Sequence, residues 1–389
     1  MSTRTILLTP IDAWFFRDGR PYNQGESGQT DVRSLFPPFA PTVVGTLRAA
    51  LAVGQGWNGR ESWANELHPI LGNGFDDLGQ LQFHGPFLVR DGKCLFPVPL
   101  HLRVAECPEK HEGDDAPIWL PSALMTPAPE SAALECDIGK VRFPIAVQKS
   151  TNLSSRDPID LWVTVDGYEQ ILRGLKPGSG ILVHSKKLWA IEQRVGLERN
   201  HDSRAVEVGK LYSPQYVRLL KGVGLASVIE GIPTNWKKFP DLLAFGGESR
   251  MAYCEPIENE LPPESPVDMI RASNRFTVSL LTPLCLPIDP SGRLSLPLPG
   301  ECFPGVAGAT IVSACVGKPV QIGGWNSLKR EPLPLIPYLP AGSTWFCEAD
   351  PAALDSILSL HGHHVGERTP YGFGQIALGA WPQETGDIA

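Results

Sequence analysis

Apolar positions along this chain fall mostly into short runs with the period of β-strands, broken by a few stretches at helical spacing. Thr5–Leu8 opens a strand. Thr42 can cap a helix that carries Val43, Val44, Leu47, Ala50, Leu51 and Val53 and stops at Gly54. Leu81–Val98 predicts a hairpin turning at Asp91-Gly92, and Ile181–Leu220 predicts long strands joined by a polar turn near Asn200–Asp202. Gly224–Ile229 reads as a strand, Asn235–Ala244 as a short helix and Met251–Glu255 as a strand. The stretch Glu258–Pro266, rich in Pro and Glu, predicts a linker.

Beyond the linker, Arg275–Cys285 predicts a strand through Phe276, Val278, Leu280 and Leu281, and Gly305–Val316 a helix of small residues. Val320–Trp325 and Ser343–Glu348 predict strands, Pro351–Leu360 a helix through Ala352, Leu354, Ile357 and Leu358, and Phe373–Trp381 a closing strand. The order is βαββαβ, and the longer N-terminal part permits the same order with insertions. The expected fold is α+β, two tandem ferredoxin-like (RRM-like, βαββαβ) domains with insertions. The first spans residues 1–260, with a peripheral insertion at about 105–155 that is rich in Pro, Glu, Asp and Ala, and a basic hairpin at about 184–222. The second spans residues 261–389.

Composition narrows this picture. A chain of 389 residues that is 42% hydrophobic has room for two cores. No apolar run approaches the roughly 20 residues that span a bilayer, and the N-terminus lacks a signal-peptide pattern, so a cytoplasmic location without membrane contact is expected. Cysteines 94, 107, 136, 254, 285, 302, 315 and 347 are scattered without a Cys-x-x-Cys pair, which disfavours zinc and disulfide frameworks. Cys285, Cys315 and Cys347 sit in apolar runs and read as small core residues.

Charge is unevenly spread. The formal net charge is -8, yet His184–Gly222 holds eight cations against four carboxylates, a net +4 that leaves -12 on the remainder. Such a segment is either a local site for an anionic ligand or a solvated charged hairpin.

Candidate chemistry concentrates in loops. Trp14–Tyr22 reads as an apolar strand end opening into Arg17, Asp18, Gly19 and Arg20. Guanidinium forks and exposed amides at one spot suit an anionic, phosphate-bearing ligand; a solvated Asp-Gly surface turn is the alternative. Phe245–Arg250 and Gly366–Gly374 fall at equivalent places, between the last helix and last strand of each expected unit, and each carries an arginine. Their glycines either let backbone approach a ligand closely or simply make tight turns. His361-Gly362-His363-His364 has no nearby thiolate and only Asp355 and Glu367 as carboxylates, so neither a metal nor a cofactor is expected there.

Two ferredoxin-like units with a glycine-bearing loop before each last strand resemble the RAMP superfamily of CRISPR proteins. Within it, an ordered set of motifs resembles the family of third subunits of type III-B Cmr effector complexes. The set comprises Phe16–Pro21, Ser34–Pro38 leading through Thr42–Gly45 to Arg48, Arg194–Leu197, Gly209–Tyr212, Gly246–Arg250, Gly323–Trp325, Pro340–Ser343 and Tyr371–Gly374. The loops depart from the Gly-x-Gly-x-x-Gly spacing of processing RAMP nucleases, with only Gly372-Phe373-Gly374 close to it.

The resemblance implies a non-catalytic, RNA-binding subunit that holds the repeat-derived 5′ tag of the guide RNA, meets target RNA, and joins the large Cas10-type subunit to the backbone RAMP subunits. The implied RNA contacts are Arg17, Asp18, Gly19, Arg20, Tyr22, Arg48, Arg194, Arg199, Arg204, Lys210, Tyr212, Gly246, Gly247, Arg250, Arg368, Gly372 and Gly374. Leu188–Tyr212 is the candidate for a hairpin that interrupts guide and target pairing. Three other functions stay open: a metal-independent RAMP endoribonuclease using His84, His184, His201 or the His361–His364 cluster, the guide-capping subunit of another type III complex, and an adaptor touching only protein. No histidine precedes His68, where the nuclease resemblance would want one.

Overall fold

Short alternating runs dominate the sequence, and strands dominate the fold. The computed structural model describes all residues except 18–30, 109–116, 150–153, 200–205, 237, 259–261, 289–293, 327–330 and 384–389. In chain order its main elements begin β1 (Ser2–Pro10), α1 (Ala40–Gly54), β2 (Gln82–Arg90), β3 (Lys93–Pro97), β4 (Leu102–Glu106), β5 (Trp119–Pro127) and β6 (Pro144–Val147). They continue as β7 (Leu161–Thr164), α2 (Val165–Leu172), β8 (Leu182–His184), β9 (Trp189–Gln193), β10 (Gly196–Arg199), β11 (Val206–Leu219), β12 (Val223–Ile232), β13 (Leu242–Ala244) and β14 (Met251–Ile257). Then come α3 (Val267–Ser273), β15 (Arg275–Leu280), β16 (Ala309–Cys315), β17 (Val320–Asn326), β18 (Glu331–Tyr338), β19 (Thr344–Ala349), α4 (Leu354–Leu358) and β20 (Ile376–Ala380). The architecture is α+β. Among the described residues no helix is long and apolar enough to cross a membrane.

The chain forms two compact units that do not follow chain order. One takes Met1–Gly92, Leu188–Glu258 and Gln321–Ile336; the other takes Lys93–Lys187, Asn259–Val320 and Pro337–Ala389. This grouping cuts across the expected boundary near residue 260, and it places the stretch at about 105–155 with the C-terminal residues.

In the first unit, strands run in the order β2-β12-β1-β14-β13, all antiparallel. Ile6 and Leu8 of β1 are buried while their neighbours are half-buried, the alternation of a sheet with one covered face. α1 lies against β2 and β13 and buries Val43, Val44, Leu47 and Leu51. A second sheet joins β9, β11 and β10 around the long β11, with Asp31–Val32 paired to it in parallel.

In the second unit, β16-β19-β15-β20 form an antiparallel sheet. One face carries Phe276, Val278, Leu280, Trp345, Cys347, Ile376 and Leu378 into a core completed by Ile270 of α3 and Leu354, Ile357 and Leu358 of α4. The other face is also buried and mixes Phe346 and Ala377 with the polar Thr277, Ser279, Ser313 and Thr344. There His101 Nδ1 lies 3.2 Å from Thr344 Oγ1, and α2 packs on β20. Burial without a counter-charge pushes His101 down to about 3, so the ring stays neutral. β4-β5-β6 make a three-stranded sheet, so the stretch expected as a peripheral insertion contributes ordered strands.

Counted within each unit's main sheet, β1, β2, β12 and β14 and then β15, β16, β19 and β20 stand in the same spatial order, second-third-first-fourth. The first set has a helix between its first and second strands, the second between its third and fourth. Two expected helices are strands or coil. Gly305–Val316 yields β16, because Gly305 and Gly308 take positive φ of 78° and 79° and Thr310, Ile311 and Val312 favour extended backbone. Asn235–Ala244 ends in β13: Pro240 prevents a continuous helix, and Leu242–Ala244 pairs with Met251–Tyr253. Helices α2 and α3 were not expected from the sequence.

Candidate functional site

β1 ends at Pro10, and the next seven residues gather the first unit's charged loops. Trp14 exchanges two backbone bonds with Val217 of β11, both 2.8 Å, and its indole Nε1 donates to the Met251 carbonyl at 3.1 Å. The Phe15 carbonyl accepts from Gly247 N at 2.8 Å. Gly246 has φ 90°, and a Cβ there would lie 2.6 Å from the Phe15 oxygen, so only glycine fits. Phe16 N donates to Ser34 Oγ at 2.8 Å. The Trp14 and Phe16 rings meet Phe245 edge-on at 4.9 and 5.0 Å, with Phe36 beside them. These buried rings are structural: they pin the end of β1, the β9–β11 hairpin and the Phe245–Arg250 loop to one another.

On that frame sits a charge cluster. Asp12 accepts from Arg194 at 3.0 Å, Arg218 at 2.8 Å and Arg250 at 3.2 Å. Glu192 accepts from Arg194 at 2.6 Å and Arg218 at 2.5 Å. The Arg194 and Arg250 guanidinium carbons stand 4.7 and 4.4 Å from the centre of the Tyr216 ring, a cation–π arrangement that fixes both forks. Hydrogen bonds from Arg218 and then Arg194 hold the Asp12 carboxyl down at about 2 and lower Glu192 likewise. Both carboxylates are ionised at neutral pH and raise the pKa of Arg194 and Arg218 in return. Three guanidiniums against two carboxylates leave a net +1, and the buried Nε of Arg250 has no acceptor among the described residues. An anion with several acceptor oxygens matches that surplus.

The expected contacts fare differently. Arg194, Gly246, Gly247 and Arg250 are brought together here. Arg17 is exposed, its backbone bridged to Ser34. Asp18, Gly19, Arg20, Tyr22 and Arg204 lie outside the described residues, as do the side chains of Arg199, Lys210 and Tyr212, whose backbones belong to β10 and β11. Arg48 is buried instead. Its guanidinium donates to the carbonyls of Leu71 at 2.7 Å, Gly74 at 2.8 Å and Asp77 at 2.9 Å and lies over the Trp63 ring, a structural role that leaves it no path to a phosphate.

Arg368, Gly372 and Gly374 belong to the second unit. A Cβ at Gly374 would meet the Val365 oxygen at 2.0 Å, and Gly372 has φ 92° with its carbonyl accepting from Thr282 Oγ1 at 2.7 Å, so packing and backbone geometry account for both glycines. Arg368 sits beside the Tyr338 hydroxyl. Both ring nitrogens of His361 serve backbone groups, Nδ1 accepting from Leu378 N at 3.0 Å and Nε2 donating to the Pro263 oxygen at 2.6 Å. Among the described residues no group of His, Cys, Asp and Glu could hold a metal ion.

Asp12, Glu192, Tyr216 and Arg218 escaped the list of expected contacts. The available signal was Asp12 itself, a charge between the end of a strand and the apolar Ala13-Trp14-Phe15-Phe16.

Comparison with known proteins adds the following. The family model described as CRISPR-associated protein (Cas_Cmr3) matches residues 6–381. No protein of curated function matches. A chain in the cryo-EM structure of the Type III-B Cmr-beta bound to cognate target RNA and AMPPnP, state 1, is 15% identical, with 92% of this chain and 89% of that one covered and a TM-score of 0.47. A chain of Cmr-beta bound to cognate target RNA is 14% identical, with 88% and 86% covered and a TM-score of 0.47. A chain in the crystal structure of the Csm1-Csm4 cassette in complex with pppApA is 12% identical, with 88% and 87% covered and a TM-score of 0.34.

Proposed function

Since the chain belongs to the CRISPR-associated Cmr3 family, whose members are subunits of type III CRISPR effector complexes, we propose that it holds the 5′ tag of the guide RNA as a non-catalytic subunit. In the same reading it links the large Cas10-type subunit to the backbone RAMP subunits in the cytoplasm and meets target RNA. One observation carries the RNA contact: the surplus of guanidinium over carboxylate at Asp12, Glu192, Arg194, Arg218 and Arg250, mounted on the frame that also positions Arg17. Phosphate oxygens can compete with the carboxylates for the solvent-facing guanidinium nitrogens, giving contact to backbone rather than base edge. The cluster contains no histidine, the commonest general acid–base group.

The common second-third-first-fourth strand order supports reading the two main sheets as tandem ferredoxin-like folds, each retaining one of the usual two helices.

Two double variants test the RNA reading in the reconstituted effector complex, Arg17→Ala with Arg20→Ala and Arg194→Ala with Arg250→Ala. Each is expected to weaken guide RNA retention roughly tenfold at moderate salt and to flatten its salt dependence, with protein assembly intact. Unchanged retention in both would remove the RNA contact from this site. Incubation of the pure chain with repeat RNA is expected to give no specific cleavage, and mutation-sensitive cleavage would replace this reading with the nuclease.

A further inference from the structure

The second unit carries a surface that the guide-holding site does not use. Leu134–Cys136 and Gly139–Val141 form a hairpin whose strands, among the described residues, pair only with each other, Leu134 opposite Val141 and Glu135 opposite Lys140. A lone two-stranded hairpin is marginal in water. This one also displays its apolar side chains: Leu134 is 59% exposed, Ile138 46%, and, just beyond the hairpin, Phe143 50% and Ile145 38%. Single exposed apolar residues are ordinary, but four large ones within twelve residues mark a contact surface.

Charge selects the kind of occupant. The two cations of the segment are engaged: Lys140 Nζ is 2.5 Å from Glu130, and Arg142 is 4.0 Å from the same carboxylate with its guanidinium over the Trp381 ring. Glu135 and Asp137 are exposed and form no ion pair among the described residues. Three carboxylates, Glu130, Glu135 and Asp137, against two cations make the stretch net -1, which repels phosphate and disfavours RNA. Apolar side chains flanked by unpaired carboxylates complement an apolar groove with a basic rim.

We propose that this hairpin, with Phe143 and Ile145, is a protein-docking element that inserts into an apolar groove rimmed by lysine or arginine on another protein subunit of the effector complex. The inference rests on reading the chain as a subunit of such a complex. The phosphate-binding cluster takes no part in it.

The test uses the full chain co-expressed with the other subunits, in wild-type form and as Leu134→Ser with Ile138→Ser and Glu135→Lys with Asp137→Lys. All four positions are exposed, and a thermal melt of each isolated variant checks folding. Both pairs are expected to weaken incorporation into the complex roughly tenfold, with guide RNA retained per assembled complex unchanged. Hydrogen exchange is expected to show protection of 134–145 on assembly. Incorporation of the serine pair at wild-type level would overturn the docking element, and tighter assembly of the lysine pair would overturn the basic rim. Self-association of the isolated wild-type chain, abolished by the serine pair, would replace the subunit groove with a second copy. Failure of the wild-type chain to enter the complex would overturn the subunit reading and this inference together, whereas equal entry of wild-type and variants overturns this inference alone.

Discussion

Arginine serves two opposed purposes in this chain, and burial decides which. Arg48 fills three carbonyls from inside the first unit, so Arg48→Ala strands those oxygens and is expected to lose about 2–4 kcal/mol, read from urea midpoints, while the folded fraction binds guide RNA normally. Arg194, Arg218 and Arg250 sit half-exposed around Asp12, where solvent screens their ion pairs. Asp12→Asn is therefore expected to change stability by no more than about 1 kcal/mol but to release the forks and alter RNA retention. The network's pH window follows from its sign. A carboxyl held at about 2, below its ordinary 3.8, stabilises fully above pH 3.8 and loses that contribution only as pH falls toward 2, so thermal midpoints of wild type and Asp12→Asn should run parallel from pH 5 to 8. The sequence made Arg194 and Arg250 legible as cations near glycines. It could not reveal that Asp12, 182 residues before Arg194, neutralises them, because that pairing exists only once the end of β1 and β11 meet.

At the scale of elements, the legible parts were those whose local preference agrees with their packing. The alternation in β1, the apolar runs of β15, β19 and β20, buried on both faces, and the apolar stripe of α1 were readable, since their surroundings bury the residues that the pattern marks as apolar. Segment 305–316 misled because small residues tolerate either state, and the choice was made by pairing with β19. The two glycine loops were found from their equivalent places before each expected last strand, but place could not distinguish a ligand cradle from a packing constraint. Substitution separates them. Gly374→Ala sets a Cβ against the Val365 oxygen and is expected to lower the melting temperature sharply without a specific RNA defect, whereas Gly246→Ala should displace Phe15 and weaken RNA retention in protein that remains folded.

For the whole molecule, one fully buried histidine couples stability to acid. His101 is held neutral at about 3 against an ordinary 6.5, so the unfolded chain binds a proton that the folded chain refuses. Stability is then complete above pH 6.5 and falls by about 1.4 kcal/mol per pH unit as pH drops from there toward 3. His101→Gln should flatten the melting-temperature profile between pH 6.5 and 4.5, and an unchanged profile would assign acid sensitivity elsewhere. The division into two units was the part least legible, because strand patterning reports which residues are extended and not which sheet they join. The chain passes between units at 92–93, 187–188, 258–259, 320–321 and 336–337. During synthesis the ribosome must therefore release β17 and β18 before the first unit has all its residues, by which time most of the second is already outside. Folding cannot proceed as one finished domain followed by another, and early N-terminal intermediates must wait with unpaired strand edges, which makes elongation rate and chaperone supply determinants of how much of this subunit reaches its complex.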